Sequence, residues 1–216
     1  HFLHIPKAAG TSIETQRLEA EGIDGPMWGR QADLKCSTLD SCQGAVPHCR
    51  MSENPNRCCS SWHTPPSTDH MLKQAYKACE TFCVVRDPVT RLASEFKYRG
   101  GKCNSTAFSA WVKDRMVEVK SDPYMHDCHF VPQTVYVYGD TGTQNPDKHP
   151  ICQHVLRMES LTDDFNALMT KFGLPLELEK HNNPTNTCEV PAFADARKDI
   201  EEYYAADFSA FGYQSA

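Results

Sequence analysis

Lys7 stands between an apolar segment and a run of small residues, in HFLHIPKAAGTSIE. Residues 2–5 are mostly apolar and β-compatible, which predicts the end of a buried strand. Thr11 and Glu14 have the spacing of a capping box, so a helix is predicted to begin here. In the turn between them, the backbone N–H groups of residues 9–12, two hydroxyls and the Lys7 ammonium would converge on a compact anion. The alternative is a lysine in a solvated turn.

A second candidate anion site follows a later apolar segment, in RDPVTRLAS. Arg86 at a strand end presents a planar guanidinium to a phosphate, and Ser94, two turns into the next helix, adds a hydroxyl on the same side. Asp87 is a natural N-cap and Pro88 a natural first helical residue. The alternative is an Arg86 that pairs with Asp87 or Asp69, beside a serine on the helix surface.

Both loops are predicted to follow strands of one sheet. Short apolar runs predict the strands, at residues 2–5, 81–85, 134–138 and 155–156. Helical spacing of apolar residues predicts the helices, at residues 11–22, 70–79, 88–99, 107–119, 162–172 and 193–211. This alternation indicates an α/β fold with a central, mostly parallel sheet flanked by helices. Ligands of such folds bind beyond the carboxyl ends of the strands, where both candidate loops lie.

The chain of 216 residues, with 40% hydrophobic and 23% charged residues, has the size and composition of one globular domain, so we expect a single domain over residues 1–216. The formal charge of -6 and the pI near 5.9 argue against a nucleic-acid binder, which usually carries a basic face. No apolar run is long enough to cross a bilayer, and no signal-peptide pattern begins the chain. Because the numbering begins inside a predicted strand, we expect a fragment from which an upstream signal or membrane anchor is missing.

Eleven cysteines are the most unusual feature of the composition. Their spacing is irregular, whereas structural zinc sites favour two close Cys pairs, so disulfides in an oxidising compartment are the first interpretation and zinc the second. Five of the cysteines lie in residues 24–66, which are predicted to form an irregular insertion held by disulfides. Asn104 begins a glycosylation sequon, which fits a protein of the secretory pathway.

The two loops together resemble the donor-binding motifs of sulfotransferases that use PAPS (3'-phosphoadenosine 5'-phosphosulfate). PKAAGTS resembles the motif for the 5'-phosphosulfate, and RDPVTRLAS the motif for the 3'-phosphate. The closer resemblance is to Golgi carbohydrate sulfotransferases, including heparan sulfate 2-O-sulfotransferase-like proteins. Further likenesses are HFVPQ at residues 129–133, RMESL at 157–161 followed by Asp164 and Phe165, and DFSAFGY at 207–213. The resemblance does not cover residues 24–59.

This resemblance implies a P-loop-like fold of three layers, with PAPS bound across both loops, PAP as the product and the Golgi lumen as the location. The donor-binding residues that it implies are Lys7, Ala8, Ala9, Gly10, Thr11, Ser12, Arg86 and Ser94. Lys7 would stabilise the charge that develops on the leaving phosphate during in-line transfer to an acceptor hydroxyl. The reaction implied by the resemblance requires no metal.

A general base near neutral pH is most often a histidine, and the chain has ten. His63, in SWHTPP, is the candidate because it lies between the two motifs in a proline-stiffened turn. It also resembles the position of the base in the 2-O-sulfotransferase-like group. The alternative is a surface histidine in a cysteine-rich loop. His129 and Gln133 are predicted to position the substrate or to hold their loop.

Three functions remain open: a PAPS-dependent sulfotransferase that acts on a hydroxylated acceptor such as a glycan, a disulfide-rich secreted binding module with a non-catalytic anion loop, and a P-loop nucleotide kinase. The kinase is disfavoured because the Gly-Lys-Ser order and an acidic strand end for Mg²⁺ are missing. A basic edge near the donor site is expected from Arg91, Lys97, Arg99 and Lys102. Together with the negative overall charge, this edge favours an acceptor of modest charge.

Overall fold

A computed structural model of the chain describes residues 1–19, 59–68, 70–77, 80–139, 150–179 and 194–215. Within these residues a three-stranded parallel sheet has the order β1 (Phe2–Leu3), β2 (Phe82–Val85) and β3 (His154–Arg157). Phe2 lies opposite Phe82, which in turn lies opposite His154. The prediction of an α/β fold with a parallel sheet is confirmed, and so are three of the four predicted strands.

Helices flank this sheet and follow its strands. They are α1 (Gly10–Glu19), α2 (His70–Lys77), α3 (Pro88–Tyr98), α4 (Ser105–Ser121), α5 (Gln133–Tyr138), α6 (Leu161–Lys171), α7 (Ala194–Tyr203) and α8 (Ala205–Phe211). Short 3-10 turns occur at Ser61–His63, Pro66–Thr68 and Met158–Ser160. Among the described helices, none is both long enough and apolar enough to cross a membrane.

Helix α3 begins as its sequence predicts. The Asp87 side chain accepts a hydrogen bond from the Thr90 backbone N–H at 2.9 Å, and Pro88 takes the first helical position. Only Arg86 and Asp87 separate the end of β2 from this helix. Arg86 is therefore held at the carboxyl edge of the sheet.

Two hydrophobic clusters support the edge of the sheet where the loops lie. The first joins the sheet to α1, α5 and α6, through Phe2, Val84, Leu156, Ile13, Tyr136 and Phe165. The second joins α3 to α4, α7 and α8, through Leu92, Phe108, Ile200 and Phe208. Helix α3 therefore connects the sheet edge to a separate helical cluster.

The prediction of a strand at residues 134–138 is wrong, because these residues belong to helix α5. Alternating valines and tyrosines favour a strand by propensity, but that preference depends strongly on context. Here the buried carboxylate of Asp207 accepts hydrogen bonds from the backbone N–H groups of Gln133 and Thr134, each at 2.9 Å. This capping from a distant helix stabilises the helical start.

The single helix predicted at residues 193–211 is in fact two helices, α7 and α8, which meet at Tyr204.

The cysteines of the described residues confirm the disulfide interpretation. Cys59 is bonded to Cys128 and Cys83 to Cys152, and Cys103 is also disulfide-bonded. Cys83–Cys152 links β2 to the segment before β3. Most of the insertion predicted at residues 24–66 lies outside the described residues, and the single domain over residues 1–216 stays a prediction.

Candidate active site

A cavity of about 390 Å³ lies at the carboxyl edge of the sheet. Residues that follow all three strands line it: His4 and Lys7 after β1, Arg86 after β2 and Met158 after β3. The other lining residues are Ala9, Gly10, Thr11, Ser12, Trp62, His63, Ser94, Tyr98, Asp127 and His129. Both predicted anion loops and the predicted base thus face one cavity.

The Lys7 loop turns sharply between β1 and α1. Lys7 and Ala9 have φ angles of 65° and 61°, in the left-handed region where a non-glycine residue is strained. Gly10, Thr11 and Ser12 are the first residues of α1, so their N–H groups have no acceptor within the helix. Because all three residues line the cavity, this helix start can bind an anion there.

The Lys7 side chain is half-buried at the cavity wall. Its Nζ lies over the Tyr98 ring, 4.2 Å from the ring centroid. Burial lowers the pKa of Lys7; the carboxylate of Glu95 opposes this effect, whereas Arg86 and Arg99 add to it. A partly desolvated ammonium interacts strongly with an anion because the local dielectric is low.

Arg86 borders the same loop. Its Nε donates to Thr90 Oγ1 at 3.0 Å, and its Nη1 lies 3.5 Å from the carbonyl oxygen of Lys7. Gln133 fixes the Arg86 backbone, because its Oε1 accepts from the Arg86 N–H and its Nε2 donates to the Arg86 carbonyl, each at 2.8 Å. Since Ser94 also lines the cavity, the two candidate anion sites are parts of one site.

Two residues of the predicted site, Ala8 and Gln133, do not line the cavity, and one residue of the predicted basic edge is buried. Ala8 is fully buried in the sheet cluster, and Gln133 is fully buried where it holds the Arg86 backbone. Arg91, predicted for a basic edge, is 2% exposed, so that part of the prediction is wrong. Its guanidinium is turned inward because it donates to three backbone carbonyl groups, those of Pro6, His129 and Val131.

His63 is buried at the end of the Ser61–His63 turn, with one ring nitrogen bound to a carboxylate. Its Nδ1 lies 2.7 Å from Asp127 Oδ2, and because an ionised carboxylate only accepts, Nδ1 carries the proton and Nε2 is the basic nitrogen. Burial lowers the pKa of His63 to about 4, although the hydrogen bond with Asp127 opposes this shift. A neutral imidazole with a fixed Nδ1–H is the form that a general base requires.

Asp127 lies in a turn of three left-handed residues, His126, Asp127 and Cys128, with φ angles of 56°, 59° and 60°. The Cys59–Cys128 disulfide joins this turn to the segment that carries Ser60 and His63. Burial raises the pKa of Asp127, but hydrogen bonds from His63 and Ser60 outweigh burial and hold it below its ordinary value. The disulfide thus keeps the two members of the His63–Asp127 pair together.

Loss of the Cys59–Cys128 disulfide is expected to reduce activity more than loss of Cys83–Cys152. The sequence separation is 69 for both pairs. Because the two disulfides close loops of equal length, they restrict the unfolded chain to a similar extent. Removing either one should therefore lower the free energy of unfolding by a similar amount, about 2–5 kcal/mol. Only the double variant Cys59→Ser/Cys128→Ser releases the Asp127 turn from the His63 segment.

Thermal unfolding and kcat of both double variants test this difference, at a temperature where both are folded. We expect kcat to fall about tenfold or more without Cys59–Cys128, because His63 loses its alignment with Asp127. Without Cys83–Cys152 it should stay near the parental value. An equal loss of kcat in the two variants would show that the Cys59–Cys128 disulfide acts on overall stability alone.

His63 is the middle ring of a row of three imidazoles with His4 and His129. The ring centroids lie 4.9 Å apart on the His4 side and 4.8 Å apart on the His129 side. Each of the outer rings also places Nδ1 on a buried carboxylate, at 2.6 Å for His4 and Glu14 and 2.7 Å for His129 and Glu95. Burial raises the pKa of Glu95, but hydrogen bonds from His129 and Arg99 hold it at about 2. Glu95 is therefore an ionised acceptor for His129.

Part of this row could hold a metal ion. Within the described residues, one ligand atom from each of His63, Asp127 and His129 lies within 4.8 Å of the other two. Two imidazoles and a carboxylate form a donor set that suits zinc or a similar transition metal. Hydrogen bonds to carboxylates engage Nδ1 of both histidines, which leaves Nε2 of each ring to accept a proton or to bind an ion.

Five residues of the cavity lie outside the site predicted from sequence: His4, Trp62, Tyr98, Asp127 and Met158. His4 and Trp62 could have been found from the sequence, because they are close in it to Lys7 and His63. A general base also needs a partner that fixes its tautomer, so a search for an acidic residue was justified. Asp127 gives a weaker signal. Its approach to His63 depends on the pairing of Cys59 with Cys128, and cysteine spacing does not reveal disulfide connectivity.

Comparison with known proteins gives one match. A family model described as the sulfotransferase family matches residues 1–214. No curated protein and no solved structure matches the chain.

Proposed function

The chain belongs to the sulfotransferase family, and on that premise we propose that it transfers the sulfuryl group of PAPS to a hydroxyl of a carbohydrate. The observation that carries this proposal is that an anion loop, a strand-end arginine and a carboxylate-paired histidine line one cavity. PAPS, as the donor, supplies a sulfuryl group attached to a phosphate that can leave. Besides the sulfated acceptor, the reaction releases PAP.

The residues around the cavity fit such a donor. The start of α1 and the Lys7 ammonium suit the 5'-phosphosulfate, in a P-loop-like arrangement without the usual Gly-Lys-Ser order. Arg86 and Ser94 suit the 3'-phosphate, because a guanidinium and a hydroxyl both donate to phosphate oxygens. The Nη1 of Arg86 is 3.5 Å from the Lys7 carbonyl, so the two groups of donors adjoin.

Lys7 and His63 have complementary roles in the proposed transfer. The Lys7 ammonium stabilises the negative charge that grows on the phosphate as its bond to sulfur breaks. His63 Nε2 accepts the proton of the acceptor hydroxyl as the hydroxyl oxygen bonds to sulfur. Asp127 keeps the proton of His63 on Nδ1 and stabilises the imidazolium that results.

The acid limb of the kcat/KM profile should lie near pH 4 rather than near 6.5, the ordinary pKa of histidine. This expectation follows because kcat/KM reports the free enzyme, in which burial lowers the pKa of His63 to about 4. The base is neutral and active above that pH and becomes protonated and inactive below it. Initial rates at low acceptor concentration across pH 3.5–8 measure the limb. A limb at about pH 6.5 would indicate a solvated base.

We propose that the acceptor is a carbohydrate of modest charge. Tyr98, 69% exposed, and Trp62 offer aromatic surfaces at the cavity, with ring centroids 6.1 Å from His129 and 5.7 Å from His63 respectively. Aromatic faces of this kind provide large contact area at little conformational cost. Since Arg91 is buried, the basic edge reduces to Lys97, Arg99 and Lys102, and Arg99 pairs with Glu95 at 2.7 Å.

Activity on this acceptor should therefore fall only moderately as salt rises to about 0.15 M, where the Debye length is about 8 Å. The measurement compares rates on neutral, mildly acidic and heparan-type glycans over that range. A steep salt dependence with a strong preference for heparan chains would contradict a modest charge. Transfer to tyrosine peptides or small phenols, with none to any glycan, would contradict a carbohydrate acceptor.

We place this chemistry in the secretory pathway, in the Golgi lumen. The support is the two described disulfides, since disulfides in general form and persist in oxidising compartments. Asn104, the first residue of the sequon, is exposed and its side chain caps α4. Protein made in secretory cells should accordingly carry a glycan at Asn104, which peptide mass analysis detects.

Nucleotide titration tests the donor assignment against the other two functions. We expect PAP to bind and to raise the melting temperature, because a ligand of the native state stabilises it by mass action. ATP with Mg²⁺ should not compete at similar concentrations. Preference for ATP would support a kinase, and binding of neither nucleotide would support a binding module.

A further inference from the structure

His4 occupies the space between the anion loop and the proposed base. It follows β1 directly, and only 7% of its surface is exposed. Its Nδ1 lies 2.6 Å from Glu14 Oε1 of α1, and its ring meets the His63 ring edge-on, at 4.9 Å between centroids and an interplanar angle of 70°. One imidazole thus touches both the helix that begins at the anion loop and the histidine that faces it.

Gly10 shows how closely the loop packs on this ring. A Cβ atom added at Gly10 would lie 2.2 Å from Cε1 and 2.4 Å from Nε2 of His4, closer than any real contact. The ring cannot move away easily, because Glu14 holds Nδ1 and His63 covers one edge. The glycine is required here by the close approach of the His4 ring.

We infer that His4 is a positioning residue that sets the distance and angle between the anion loop and His63. This inference rests on the proposed function, in which the loop holds the donor and His63 takes the proton from the acceptor. In-line transfer needs both reactants aligned, and small displacements reduce the rate strongly. A rigid ring that contacts both parts supplies that alignment.

His4→Asn is the first test, because the asparagine amide can still donate to Glu14 from about the position of Nδ1. The ring atoms that touch Gly10 and His63 are then missing, while the buried carboxylate keeps its partner. We expect kcat to fall about 10- to 100-fold and the Kd for PAP to rise much less. The matched control is His154→Gln, since His154 also pairs with a glutamate, Glu80, at 2.9 Å, but does not line the cavity. The control should leave kcat and the Kd for PAP unchanged.

Histidine NMR gives a readout that does not depend on activity. The Nδ1–H proton of His63 is bonded to Asp127, so its NMR resonance at a fixed neutral pH reports how the ring is held. In His4→Asn this resonance should broaden or disappear, because a displaced ring loses that hydrogen bond. Gly10→Ala, which presses on the same ring while His4 stays intact, should also weaken this resonance and lower kcat.

The two proposals fail in different ways. If either variant lowers kcat and weakens the His63 Nδ1–H resonance, the positioning role stands. If the parent transfers sulfate and both variants keep its kcat and its His63 Nδ1–H resonance, the positioning role is overturned and the sulfotransferase proposal survives. If the parent neither binds PAP nor transfers sulfate, the proposed function fails, and the NMR spectrum still decides whether His4 sets the position of His63.

Discussion

His63→Ala should lower kcat by about two to four orders of magnitude, the range expected for loss of a general base. The Kd for PAP should stay nearly unchanged, because the proposed donor contacts come from the anion loop, Arg86 and Ser94. The reason is geometric: Nδ1 of His63 is bound to Asp127, so Nε2 is the nitrogen left to accept a proton. Steady-state kinetics and PAP titration on the same preparations measure both quantities.

Two further variants test whether the fall in kcat is caused by the loss of a general base. Asp127→Asn keeps the side-chain shape but no longer holds the required tautomer, so kcat should fall in the same direction. His129→Ala removes the neighbouring ring of the row and should cost less than His63→Ala. A mild loss in His63→Ala beside a large one in His129→Ala would move the base to His129.

Lys7→Ala should lower kcat by about 10²- to 10³-fold, the usual effect of removing one donor that stabilises charge in the transition state. It should also abolish most of the rise in melting temperature that PAP produces. Lys7 is half-buried beside the start of α1, where its charge acts at low dielectric. Lys113→Ala removes an exposed lysine of α4 outside the cavity and serves as the control.

Arg86→Ala separates donor binding from chemistry. Because Arg86 is assigned to the 3'-phosphate, away from the reacting sulfur, its loss should appear in the Kd for PAP and in the thermal shift. Turnover at saturating PAPS should fall less than in Lys7→Ala. Parental affinity for PAP in both variants would mean that the donor site is wrongly placed.

Local signals in the sequence predict the loops that we propose for donor binding. Pro88 and Asp87 fix the start of α3, and the small residues after Lys7 predict a sharp turn into a helix. These signals depend on neighbours a few residues apart, which the sequence displays directly. The structure places Lys7, Arg86 and Ser94 on one cavity because parallel strands bring their carboxyl ends to the same edge.

The surroundings of His63, the proposed base, depend on contacts that no local pattern encodes. Asp127 reaches His63 from 64 residues away, in a left-handed turn tied by a disulfide. Asp207 reaches residues 133 and 134 from a distance of more than 70 residues and turns a strand-like segment into helix α5. From the sequence Arg91 is expected to be a surface cation on α3. It is buried instead, because three backbone carbonyl groups accept hydrogen bonds from its guanidinium.

Transfer of labelled sulfate from PAPS to a panel of glycans, peptides and small phenols tests the central claim most directly. The parent chain and His63→Ala are assayed side by side, with PAP binding measured for each. We expect label on a glycan hydroxyl with the parent, almost none with His63→Ala, and PAP binding in both. A parent chain that binds PAP but transfers label to no member of the panel would contradict the account.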